Sequence, residues 1–169
     1  MALTLDNTAG GATSNAYCTL ASASVFLEQD IHKTAIWASL STANAEACII
    51  YATTLLDVQI AWMGWKTNDE DQHLDWPREG TYDPNGDSID EDTIPVFLQE
   101  ATSFYAYFLS QTDRTADSAT FGFKELKAGS LFMEIDKYDR RPTMPNMVWD
   151  IIKQYGTKTA STPRILERV

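Results

Sequence analysis

The residues with the greatest capacity for chemistry crowd into one stretch, Thr67 to Thr93. There Asp69, Asp71, His73 and Asp75 alternate, and Asp83, Asn85 and Asp87 follow at the same two-residue step. Alternating oxygen ligands suggest a metal ion, and the second trio imitates the opening of a calcium loop. The imitation then breaks. Counted from Asp83, the sixth position is Ser88 where an EF-hand needs Gly, and the twelfth is Ile94 where it needs Glu. A solvated acidic face is the reading that remains, with no metal and no cofactor.

Other chemistries find less support. His32 and His73 stand in polar surroundings and read as surface residues, and no serine occupies a G-x-S-x-G turn, so no nucleophile has an evident base. Gly10-Gly11 lacks the spacing and the lysine of a phosphate loop. Cys18 and Cys48 are far apart without metal-ligand spacing and read as two reduced thiols. The carboxylates of the acidic stretch are spaced for exposure, which does not favour acid catalysis. The chain is therefore expected to be non-enzymatic.

Charge is the most informative bulk property. The 169 residues carry a formal charge of −11, and Thr67 to Thr93 holds ten acids against Arg78 alone, a local net of −9. A protein that grips nucleic acid concentrates Lys and Arg to displace phosphate counterions, so most of this surface should repel DNA. The sign reverses after Gly156, where Lys158, Arg164 and Arg168 face only Glu167. The segment Arg164-Ile165-Leu166-Glu167-Arg168-Val169 alternates weakly, which suits either a strand added to another protein's sheet edge or a disordered end. Arg164, Ile165, Leu166 and Arg168 are the candidate partner contacts.

The elements that position these groups are mainly helical. From Leu20 the residues Ala23, Leu27 and Ile31 fall at helical spacing, giving a short helix behind a Thr19 cap that ends around Gln29-Asp30. After Ser41-Thr42, residues Ala45, Cys48, Ile49, Ala52, Leu55, Leu56 and Ile60 make one wide apolar stripe. A third helix starts near Pro95 and carries Phe97, Leu98, Ala101, Phe104, Tyr105 and Phe108. Alternation between Phe121 and Ile135 around Lys127-Ala128-Gly129-Ser130 signals a β-hairpin. A last helix is expected from Pro145 to Tyr155, closed by Gly156 in the left-handed conformation.

These elements predict a mainly α fold. It is a single domain over 1–169, a helical bundle (16–155) carrying an acidic loop insertion (67–93) and a β-hairpin (121–135). An extended N-terminal arm (1–15), ordered only by a neighbour, and a C-terminal tail (156–169) complete it. Asp83-Pro84 and Asn85-Gly86 are turn formers, so the insertion should project from the bundle. Trp76, Pro77 and Arg78 would pin it, Arg78 pairing with a local carboxylate. No eighteen-residue apolar run and no export signal is present, so no membrane contact is expected and the protein should be cytosolic when made.

The order of motifs resembles a known family. Ser14-Asn15-Ala16-Tyr17 precedes the first helix, and the long helix runs into Trp62-Met63-Gly64-Trp65-Lys66-Thr67. Gln72, Asp75-Trp76-Pro77-Arg78-Glu79-Gly80, Asp83 to Gly86 and Ile94-Pro95 follow. Over roughly Leu3 to Leu109 this is similar to a phage family labelled DnaT-like single-stranded-DNA-binding proteins, with the W-P-R step its most specific element. Members or close relatives resemble head–tail connector adaptors, or head-completion proteins, which assemble as twelvefold rings. The C-terminal half carries little of the resemblance.

The resemblance implies two functions, and charge chooses between them. A single-strand binder needs a positive groove with stacking aromatics, whereas Trp62, Trp65 and Trp76 border or lie within the acidic stretch. A ring around a DNA channel needs DNA to slide without sticking, which an acidic lumen favours. The expectation is thus a structural virion protein at the head–tail interface, assembled in the host cytoplasm. Its partners would be the portal protein, neck, stopper or tail proteins and further copies of itself, and DNA would pass unbound. The alternatives are a single-stranded-DNA-binding protein of phage replication, or another tail or capsid accessory protein.

Overall fold

A computed structural model describes residues 4–116, 125–128, 131–134 and 141–159. Among these the element order is α1 (Leu20–Glu28), α2 (Thr34–Ala38), α3 (Thr42–Gln59), β1 (Ile60–Trp62), β2 (Trp65–Lys66), β3 (Arg78–Glu79), α4 (Val96–Gln111), β4 (Glu125–Ala128), β5 (Leu131–Glu134), α5 (Asn146–Ile152) and β6 (Gly156–Lys158).

Local signals set the helix starts. The Thr19 hydroxyl accepts from the Ser22 amide and the Ser41 hydroxyl from the Asn44 amide, satisfying first-turn donors that have no intrahelical partner. Pro95 precedes α4 in an extended conformation. From Ala101 to Tyr107 every residue of α4 is buried, which makes it the central helix, packed against α1, α3 and α5. Such burial must satisfy its polar side chains. Thr102 Oγ1 donates to the Leu98 carbonyl and Ser103 Oγ to the Gln99 carbonyl, each at 2.7 Å. Trp37 of α2 is buried as well, its indole N–H donating to Ser24 Oγ at 3.2 Å.

The strands correct the expectation of a helical bundle: the fold is mixed α/β, with three two-stranded antiparallel sheets beside the helices among the described residues. β1 pairs with β6 (Trp62 opposite Gly156), β2 with β3 (Trp65 opposite Glu79), and β4 with β5. The β4–β5 pair falls within the hairpin expected over 121–135, whereas β1, β2, β3 and β6, of two or three residues, are too short to show a two-residue period and pair distant segments. The last helix is also shorter than expected. It ends at Ile152, and Gly156 lies in β6 instead of capping it. There a Cβ would stand 2.6 Å from Ile60 Cγ2, so this glycine permits close strand approach.

Contrary to expectation, residues 4–15 of the N-terminal arm hydrogen-bond within their own chain. Asp6 and Asn15 bridge it, with Asp6 N–H donating to Asn15 Oδ1 and Asn15 N–H to the Asp6 carbonyl, both at 2.8 Å. The acidic insertion does not simply project either. Leu74, Trp76, Pro77 and Gln72 are buried, and the Gln72 amide donates to the Leu74 and Pro77 carbonyls at 2.9 Å each. Two of the family-like motifs thereby become part of the core. The tail residues Arg164, Ile165, Leu166 and Arg168 lie outside the described residues.

Candidate functional site

The segment Trp62-Met63-Gly64-Trp65-Lys66 and the segment Asp75-Trp76-Pro77-Arg78-Glu79-Gly80 meet through the β2–β3 pair. Gly64 makes the meeting possible. Its φ is +71°, and a Cβ there would overlap the Glu79 carbonyl oxygen. Arg78 then clamps the two segments. Nε donates to the Met63 carbonyl at 2.7 Å, and its two terminal nitrogens donate to Asp75 O at 3.1 Å and Gly64 O at 2.6 Å. The expected carboxylate partner is replaced by three backbone carbonyls, because the tight turns leave those acceptors without ladder partners.

Trp76 is fully buried behind this clamp and is joined to Pro77 by a cis peptide bond. Its ring meets Trp62 edge-on at 5.7 Å and Phe97 at 5.6 Å, and Phe97 stacks on Tyr155 at 3.7 Å. Trp65 does the opposite and is 69 % exposed. Its ring rests on Gly80, where a Cβ would approach it to 2.7 Å, so an exposed aromatic is held in a fixed pose. Between these walls lies an open cleft of about 610 Å³, with Trp65, Lys66 and Arg78 on its lining beside Asp69, Asp75 and Glu79. Lys66 pairs with Asp75 at 3.3 Å. With three carboxylates against two cations, the cleft is a poor phosphate groove.

A half-buried carboxylate ties the cleft to the N-terminal motif. Tyr17 donates its hydroxyl hydrogen to Asp57, and Asp57 also accepts the Asp75 amide at 3.2 Å. Burial pushes the Asp57 carboxyl up to about 6, with the Asp75 charge adding to the effect while the Tyr17 hydrogen bond opposes it. His73, exposed as expected, hydrogen-bonds through Nδ1 to the Ser14 carbonyl at 2.7 Å. Asp83, Asn85 and Asp87 form a turn in which Asp83 Oδ1 accepts the Asn85 and Asp87 amides. Among the described residues no three His, Cys, Asp or Glu side chains gather to hold a metal, and no helix is long and apolar enough to cross a membrane.

Most of the positive charge lies late in the sequence. Residues 1–112 contain three of the thirteen Lys and Arg and carry a net −13, whereas 113–169 hold the other ten and carry +2. Arg141, Lys153 and Lys158, all in 141–159, are exposed. Lys158 Nζ sits 4.7 Å from the centre of the half-buried Trp149 ring, so a cation and an aromatic share this surface. Counting charge by segment, and not only over the acidic stretch and the tail, finds this division in the sequence.

The chain is thus a mixed α/β protein whose residues 1–112 are rich in acids and whose residues 113–169 hold most of its bases. Residues 1–168 match the family described as "Putative DnaT-like ssDNA binding protein", and the chain belongs to that family. No curated protein and no solved structure matches it.

Proposed function

We propose that the chain is a non-catalytic protein that contacts single-stranded DNA through its C-terminal third, with the acid-rich residues 67–93 taking no part in holding the strand. The family match supports the ligand class, and the segregation of charge carries the choice of surface. Single strands are held by cations that track phosphates and by aromatics that accept stacked bases. Arg141, Lys153, Lys158 and Trp149 supply both, with Asp150 their acidic neighbour, bonded to Lys153 at 2.9 Å. Titrating a labelled single-stranded oligonucleotide at increasing salt tests this. Binding should weaken steeply with salt, and the triple variant R141E/K153E/K158E should lose at least about tenfold in affinity. Absence of binding at ~0.05 M salt, where screening is weak, would remove the reading.

A second reading is favoured by one observation, the −9 of the acidic stretch. As a head–tail connector adaptor in a ring below the portal, the chain would present those carboxylates to passing DNA and prevent adhesion. The portal, neck and tail proteins would then be its partners and the virion its location. Imaging particles made without the protein separates the two. Full heads without tails support the connector, and normal particles with failed replication support the strand binder.

A further inference from the structure

Two arginines from distant parts of the chain stand close together although like charges repel. Arg114 follows the end of α4 and reaches the segment beyond Arg141, its Nε donating to the Thr143 carbonyl at 2.9 Å and its Nη2 to the Pro142 carbonyl at 2.7 Å. Arg141 reaches the other way, its Nη1 lying 3.4 Å from Thr112 Oγ1. Each arginine thus bonds the segment that carries the other. Their proximity is felt electrostatically: burial first, and then the neighbouring Arg141 charge, lower the Arg114 pKa, which the Tyr105 hydroxyl opposes.

No anion compensates this pair. Among the described residues neither arginine takes part in an ion pair. Asp113, the adjacent acid in the chain, turns Oδ1 to its own neighbours, where it accepts the Thr115 amide at 2.9 Å, the Thr115 hydroxyl at 2.7 Å and the Ala116 amide at 3.2 Å. A purely structural role accounts for Arg114, which two carbonyls and the Phe108 ring, 5.7 Å from its Cζ, hold in place. It does not account for a second, exposed cation beside it. One edge of the Arg114 fork is spent on the carbonyls, while Nη1 donates to no described residue. A fixed guanidinium with a donor to spare, next to an exposed guanidinium, suits a tetrahedral anion with several acceptor oxygens.

We infer that Arg114 and Arg141 together bind one phosphate group, Arg114 as the fixed member and Arg141 as the member that closes on it. In a bound single strand this group is a backbone phosphate, an assignment that rests on the function proposed above. Free phosphate presents the same chemistry, and the site takes it independently of that function.

Two titrations of the full chain test the inference. In the first, inorganic phosphate is added at constant ionic strength and the Arg114 Nε–H resonance is followed. A saturable shift that chloride does not produce is expected, and R141A should weaken it at least about fivefold. In the second, a labelled single-stranded oligonucleotide is titrated over a range of salt concentrations. R141A and R114K should each lower affinity at least about threefold and reduce the salt slope by about 0.7, the value for one lost phosphate contact. The double variant should lose less than the product of the single losses, because both groups hold the same phosphate. R114K keeps the charge without the fork, and urea unfolding shows whether it is folded; R141A changes an exposed side chain and carries the test alone if it is not. A phosphate response that needs Arg141, in a chain that binds no oligonucleotide, keeps the site as one for free phosphate and removes the strand-binding function. Oligonucleotide binding that neither substitution weakens, with no saturable phosphate response, overturns the site and leaves that function standing. Failure of wild type in both titrations overturns both.

Discussion

Tyr17 hydrogen-bonds Asp57 through its hydroxyl across forty residues of chain, joining the segment before α1 to the last turns of α3. The same carboxylate accepts the Asp75 amide, so one half-buried acid holds the N-terminal motif, the long helix and the acidic insertion together. Three family-like motifs that look independent along the chain are in this way one cluster.

A pH dependence follows from the raised pKa of Asp57. The folded state holds the Asp57 proton more tightly than the unfolded chain does, with a value of about 6 against an ordinary 3.8. The stabilisation is therefore complete below about pH 4 and lost as pH rises through about 6, a change on the order of 3 kcal/mol. Other carboxylates work in the opposite direction, because hydrogen bonds hold Asp6, Asp30, Asp83 and Asp113 below their usual range. The Asp57 contribution is thus read as the difference between wild type and D57N in urea unfolding at pH 4 and pH 7. A difference that does not change with pH contradicts the assignment.

Loss of the Tyr17 hydroxyl should cost more when Asp57 is ionised. Y17F removes a donor to a half-buried carboxylate, a loss of about 1–3 kcal/mol. The cost should be larger at pH 8 than at pH 4, as measured by thermal or urea unfolding, and the midpoint of the Asp57 titration should move upward.

Arg78 is a clamp made of geometry more than of charge. Three carbonyls accept from its planar fork, and an ammonium cannot reach all three in the same arrangement. R78A should lower unfolding stability by about 2–4 kcal/mol, and R78K should recover less than half of that. Full recovery by lysine would show that charge alone matters there.

Two glycines with similar backbone should respond differently to alanine. Gly64 and Gly86 both have positive φ, but a Cβ at Gly64 overlaps the Glu79 carbonyl while one at Gly86 meets nothing within 4 Å. G86A should cost about 1 kcal/mol from backbone strain alone. G64A adds a clash with backbone and should cost roughly 3 kcal/mol or more, with a change in Trp65 fluorescence that G86A does not produce.

The segments legible in the sequence are those fixed by near neighbours. Thr19, Ser41 and Pro95 mark helix starts because a cap acts within one turn, and the stripe from Ala45 to Leu56 shows α3 because its period repeats over many residues. The five-residue α2 has too few turns to repeat anything, so it leaves no periodic signal although Trp37 packs inside. The acidic stretch is visible as charge, but its burial of Leu74, Trp76 and Pro77 is not.

By itself, then, the sequence determined the long helices, the separation of acidic from basic residues and the likeness of its motifs to a family. Only the tertiary structure decided that Trp62 pairs with Gly156, that Arg78 serves carbonyls instead of a carboxylate, and that Trp65 stands exposed on Gly80. The physical reason is the reach of each interaction. A helix closes its hydrogen bonds within four residues, whereas a two-residue strand or a guanidinium takes whichever unpaired backbone group the rest of the fold brings near.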